Sequence, residues 1–192
     1  MAFELTIFKA LPENLAVVDE GFDQLNQGGL NELLIILPEN ITAFPSYNPN
    51  WDDTGKFQLP NKKNNFTLAA DSEIYRIRFS AETGGFTETN RNDNRGYWFE
   101  AGIKIDIPKD RPEVTFLKYK MRGRRYVALI RDNNGLVKVV GDASKGMQFN
   151  FQLDTKTARG DYNGHTMSGK LNTLRPIPFW AITGAITDSI TI

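Results

Sequence analysis

Apolar and polar residues alternate along most of this chain with a period of two, the period of strands. Met1-Ala-Phe-Glu-Leu-Thr-Ile-Phe-Lys9 alternates from the start and predicts a strand. Leu11 to Asn31 has little periodicity and holds Gly21, Gly28 and Gly29, which predicts loop with one short helical turn. Leu33-Leu-Ile-Ile-Leu37 is an unbroken apolar run closed by Pro38, the signature of a buried strand. Between Asn40 and Asn65, Pro45, Pro49 and Pro60 sit among many asparagines, with Trp51 and Phe57 spaced apart, so this stretch reads as a long loop or arm.

The pattern sharpens after residue 70. In Glu73-Ile-Tyr-Arg-Ile-Arg-Phe79, Tyr75, Ile77 and Phe79 fall on one face, which predicts a strand. The polar run Thr83 to Gly96, with Gly84-Gly85 and Asn90-Arg-Asn-Asp-Asn94, reads as a link to the next strand, Tyr97 to Ile107. There Phe99, Ala101, Ile103, Ile105 and Ile107 share a face. One segment reads as helix, about 111–122, with Asp110 expected to accept the amide of Glu113 and Pro112 placed in the first turn. Val114, Leu117 and Met121 would share its buried side, and Gly123 would end it. Arg125 to Arg131 and Leu136 to Val140 flank Asp132-Asn-Asn-Gly135, a hairpin in which Asn134-Gly135 are expected to take positive φ. In a second hairpin, Met147, Phe149, Phe151 and Leu153 alternate with polar residues, and the partner runs from His165 to Leu174 after Asp161-Tyr-Asn-Gly164. The tail from Pro176 carries only Asp188 as a charge and holds Phe179, Trp180, Ile182, Ile186, Ile190 and Ile192, so it is expected to add to a sheet or to a neighbouring subunit.

These elements describe a single domain over 1–192 of mainly β (α+β) class: an antiparallel sheet sandwich or barrel with one flanking helix, an extended loop and terminal arms. Its parts are an arm or strand at 1–30, a long loop or arm at 38–65, a β core at 66–180 and an arm at 181–192. The chain has no cysteine, which removes disulfides, thiolate metal sites and thiol nucleophiles. Lys plus Arg equals Asp plus Glu at 23 each, so no net field draws in nucleic acid or anionic lipid. No apolar run approaches the roughly 20 residues that span a bilayer, and the start lacks the apolar core of a signal peptide, so the expectation is a protein made inside a cell, without a membrane partner.

The chemistry the sequence offers is sparse. His165 is the only histidine, no Gly-x-Ser-x-Gly elbow surrounds any serine, and His165 is expected to be a turn or strand residue. Asp132-Asn-Asn-Gly135 lacks the alternating acids and closing glutamate of a calcium loop. Asp52-Asp53 has no located carboxylate partner, neither glycine pair precedes a Gly-Lys-Ser/Thr, and Arg159-Gly-Asp161 reads as a turn. Catalytic, cofactor-binding and metal residues are therefore all assigned as none, and the expectation is a protein that is not an enzyme. The candidate surface residues are the basic run Lys118, Lys120, Arg122, Arg124 and Arg125, together with Trp180, Ile182 and Ile186, as contacts to a neighbouring subunit or to DNA in a channel. A carbohydrate-binding or adhesin-like β module is the alternative, in which Trp51, Trp98 and Trp180 would line a sugar platform.

The order of parts carries a resemblance. Gly28-Gly-Leu30 precedes an apolar strand; then come an extended strand and polar loop, Tyr97 to Ile107, a capped helix, and Arg125 to Val140 with Asp132-Asn-Asn-Gly135 at its tip. Asp161-Tyr-Asn-Gly164 before a last strand and Pro176-x-Pro178 complete the order. Over residues 27 to 180 this resembles a family of tail and head-to-tail structural proteins of phages and prophages of Bacteroidetes. Members often begin with a short cysteine-containing stretch, which this chain lacks. The resemblance implies a virion protein of tail-tube type, made in the host bacterial cytoplasm. It implies a homo-oligomeric ring, hexamer or dodecamer, beside tail, portal or ring proteins, with non-specific contact to double-stranded DNA in the channel. It implies no catalytic residues and no cofactor.

Overall fold

The computed structural model describes residues 28–44, 58–59, 66–80, 82–94, 96–155, 163–180 and 186. The expected strand at Met1 to Lys9, Trp51, Phe57, Asp52-Asp53, Arg159-Gly-Asp161, Ile182, Ile190 and Ile192 lie outside the described residues. The described chain is mostly β. Its strands are β1 (Leu30–Ile36), β2 (Ile41–Ala43), β3 (Gln58–Leu59), β4 (Thr67–Leu68), β5 (Ile74–Ile77), β6 (Gly85–Asp93) and β7 (Gly96–Pro108). After the helix α1 (Pro112–Met121) come β8 (Val127–Asp132), β9 (Val137–Val140), β10 (Gln148–Asp154), β11 (Gly164–Thr173) and β12 (Phe179–Trp180). No described helix is long and apolar enough to cross a membrane.

One sheet has the order β3-β12-β9-β8-β1-β5 and is antiparallel except where β12 meets β3; a second, fully antiparallel, has the order β10-β11-β7-β6; β2 and β4 form a small pair. Among the described residues the strands do not close into a barrel. The two large sheets nevertheless touch at their corners. Leu30 N–H donates to Gly84 O at 2.9 Å, Ser80 N–H to Asp106 O at 2.9 Å, and Tyr126 and Met147 exchange backbone bonds of 2.8 and 2.7 Å.

The unbroken apolar run of β1 has a simple cause: both of its faces are covered. Leu33 and Ile35 point into a cluster shared with the four-stranded sheet, where Ile103, Ile105, Phe149, Met167 and Leu171 meet Ala128 and Ile130 of β8. Leu34 and Ile36 point the other way, into a second cluster with Val127, Leu129, Val139, Phe66, Trp180 and Ile186. Phe66 ties that cluster together, its ring centroid 5.4 Å from Phe44 and 5.3 Å from Trp180. Strand β7, by contrast, buries one face, so its alternation is clean: Ala101, Ile103, Ile105 and Ile107 are buried between more exposed neighbours.

Three local expectations are corrected. The polar run from Thr83 to Gly96 is not a link: Gly85 to Asp93 is a full strand paired with β7 from Gly85↔Lys104 to Asp93↔Gly96. Its polarity reflects an edge position with little apolar cover. Asp110 does not cap α1. Arg111 occupies the cap position without a side-chain bond, while Asp110 Oδ1 accepts the Nε2 proton of His165 at 2.9 Å. A buried imidazole on β11 needs a partner more than an exposed helix end, whose free amides reach water. In the β8–β9 hairpin only Gly135 has positive φ, at 83°. Asp132 N–H donates to Leu136 O and Gly135 N–H to Asp132 O, so the loop is a turn followed by a glycine bulge rather than a two-residue reversal.

The helix otherwise follows its sequence, with Pro112 in the first turn, Val114 and Met121 buried, Leu117 packed beside them and Gly123 at φ 72° beyond the end. The tail joins the chain's own sheet through β12. Ile186, fully buried in the second cluster, is thus part of the fold. Ile186→Ala should lower stability by about 2–5 kcal/mol, read as a lower urea midpoint with an unchanged slope.

Candidate functional surface

Because the inward residues of the four-stranded sheet are spent on the core, the opposite parity builds a continuous outward face. Register sets its rows. Asn150 lies beside Ser168, and Ser168 beside Lys104; Gln152 beside Thr166, and Thr166 beside Asp106; Gln148 beside Lys170, with Gly102 and Thr87 following. Asn172, Glu100 and Thr89 form the next row, and Trp98 and Arg91 the last. The face is therefore mostly short amides and hydroxyls. Its charges offset one another locally: Lys104, Lys170 and Arg91 lie among Glu100, Asp106 and Asp154. Lys170 Nζ donates to Glu100 Oε1 at 3.2 Å, the Arg91 guanidinium lies 3.7 Å from the same carboxylate, and Thr166 Oγ1 donates to Asp106 Oδ1 at 2.7 Å. Such a surface wets well, carries little net field and offers no deep hydrophobic foothold.

Both flanks of this face are open. Among the described residues β10 and β6 have no strand on their outer edges. Beside β10 lies α1, and between them runs a groove of about 490 Å³ lined by Thr115, Lys118, Tyr119, Arg122, Asn150 and Phe151. The basic run expected from sequence emerges here, but its members differ. Lys120 is engaged within the chain, 3.5 Å from Glu73 Oε2 and over the rings of Tyr75 and Phe116. The Tyr75 hydroxyl donates to that same carboxylate; this bond, and then the Lys120 charge, hold Glu73 below the usual carboxylate range, while the bond to Glu73 and burial push the Tyr75 phenol up. Lys118, Arg122, Arg124 and Arg125 are exposed and have no ion pair among the described residues.

The apolar candidates fall elsewhere. Trp180 is 3% exposed and Ile186 wholly buried in the second cluster, so neither offers a contact surface in this conformation. The same burial breaks up the sugar platform: Trp180 is core, Trp98 is half-buried on the polar face, and Trp51 lies outside the described residues. Asp132 is committed to its turn, Oδ1 accepting the amides of Asn134 and Leu136 at 3.0 and 2.8 Å. No cluster of three metal-ligating side chains occurs among the described residues. His165 is a buried strand residue on β11.

One functional tie gave no advance signal. Lys138 alternates with valines on β9 and reads as a solvent-facing lysine. It turns instead toward the second sheet, with Nζ 3.4 Å from Glu88 Oε2 and 5.0 and 4.5 Å from the Phe86 and Phe179 ring centroids. Glu88 Oε1 accepts the amide of Ile177 at 3.1 Å, so one carboxylate holds β6, β9 and the approach to β12 together.

The charge pairing on the outward face is directly testable. Lys170, and more weakly Arg91, hold the Glu100 carboxyl below its ordinary value. A depressed acid keeps its paired form above the ordinary carboxylate range and loses it as pH falls through the lowered midpoint. An NMR titration should therefore place Glu100 below an ordinary glutamate, Lys170→Ala should raise it, and Lys170→Arg should leave it low. Comparison with protein-family models, curated proteins and solved structures gives no match, which leaves the chemistry of this surface as the guide to function.

Proposed function

We propose that the chain is a bacteriophage structural protein that assembles as a homo-oligomeric ring, hexamer or dodecamer, in the tail tube or the head-to-tail region. In this reading the outward face of β10-β11-β7-β6 lines the DNA channel. The observation that carries it is the pairing of a polar, locally charge-neutral sheet face with open strand edges on both sides. Open edges invite a neighbour's strand, and a closed ring removes them all at once. A channel that gripped phosphates would hold DNA through many released counterions and stall it; a lining of amides and hydroxyls with interleaved charges lets the polymer slide. Two sheets sharing one apolar cluster suit the sandwich expected of a tail-tube subunit, and α1 would flank the ring wall. The order of parts that resembles phage tail and head-to-tail proteins supports the same reading. No catalytic role is assigned to any residue.

The expected result is a species much heavier than 21.7 kDa by sedimentation, with annular particles in electron micrographs. Rings carrying Asn150→Arg and Ser168→Arg should retain short duplex DNA more strongly than the unaltered rings, and the difference should fade at high salt. A monomer at every concentration, absent from virions, would sink the proposal.

A further inference from the structure

The groove between α1 and β10 is an unfinished piece of the sheet. Along β10 the inward residues lose cover in order: Phe149 is buried, Phe151 half-buried and Leu153 40% exposed. Across the groove the helix presents Tyr119, 74% exposed. Lys118 and Arg122 line the groove and bring positive charge to it, with no ion pair among the described residues. An occupant must therefore be extended, alternate in polarity and carry acids.

The chain itself contains such a segment. Residues 1–27 hold the acids Glu4, Glu13, Asp19, Glu20 and Asp23 against the single base Lys9, and they open with the alternating run Met1 to Lys9. Together the 45–57 and 60–65 stretches carry three bases against two acids, and 181–192 carries one charge, so none matches the acid excess of residues 1–27. We propose that residues 1–9 add to the free edge of β10 as a further strand, with Phe3, Leu5 and Ile7 extending the row Phe149, Phe151 and Leu153. Glu4 and Thr6 then continue the polar outward face, and the acids of residues 10–27 lie along the basic end of α1.

The reach is sufficient. Gly28 is fixed at the β8–β9 turn, its carbonyl accepting Asn133 Nδ2 at 2.6 Å, and β10 starts at the far end of β8, beside Tyr126. That separation is roughly 20 Å, one six-residue strand, whereas residues 10–27 extend to about 60 Å. The segment can thus come from the same chain or from a neighbouring copy. This proposal stands apart from the ring reading, which it strengthens if the strand is exchanged.

The absence of cysteine makes the 192-residue chain a clean background for engineered pairs. Thr6→Cys is combined in turn with Gln148→Cys, Asn150→Cys, Gln152→Cys and, as a distant control on the same face, Lys104→Cys. Neighbouring strands bring Cα atoms within disulfide range, about 4.4–6.8 Å. Oxidation should cross-link Thr6→Cys to at least one β10 position at least about tenfold faster than to Lys104→Cys, with Lys118→Glu and Arg122→Glu together slowing it several-fold. Non-reducing gels show whether the link is within one chain or between copies; either supports the added strand. No preference for β10 over Lys104→Cys would overturn it. So would an unchanged rate in the charge-reversed protein accompanied by loss of duplex DNA binding, which would assign the patch to nucleic acid. Sedimentation of the same samples reports separately on ring formation, so failure of one reading is not mistaken for failure of the other.

Discussion

The structure depends on the antiparallel contact between β1 and β8, which pair from Leu30↔Asp132 to Ile36↔Val127. These two strands are apolar on both faces and are both interior strands of the six-stranded sheet. One face closes the cluster under the four-stranded sheet; the other closes the cluster under Phe66, Trp180 and Ile186. Two layers of packing thus share one wall. A shift of a single residue in that pairing would exchange every inward side chain for its outward neighbour and misfit both clusters together.

Much of this was readable in advance because side-chain period reports burial directly. Leu33 to Leu37 declared a strand covered on both faces, and Ala101 to Ile107 and Met147 to Leu153 declared strands covered on one. The helix was marked by Pro112, the three-and-four spacing of Val114, Leu117 and Met121, and Gly123. What failed to show has two causes, position in the sheet and competition from distant residues. Strand β6 hides its pairing because an edge strand needs no apolar face. Asp110 has the right chemistry for a helix cap, but His165, distant in sequence, claims its carboxylate. Trp180 reads as a surface anchor until Phe66 supplies its partner.

The candidate surface was legible only in half. The basic run at the end of α1 was plain in the sequence, though not that Lys120 alone would be drawn in by Glu73 and Tyr75. The outward face of the four-stranded sheet could not be assembled from sequence, since its rows exist only once the register sets Lys170 near Glu100 and Thr166 near Asp106. Overall neutrality then acquires a local meaning: charges offset one another side by side, which whole-chain counts cannot reveal.

The separation of β1 from β8 along the chain also bears on biosynthesis. During translation β1 leaves the ribosome with neither apolar face covered, and its central neighbour is complete only when Asp132 has been added. At ribosomal speeds of about 5–20 residues per second, that interval is roughly 5–20 s. For that time the nascent chain exposes an apolar, strand-prone segment, Leu33 to Leu37, whose pairing partner does not yet exist.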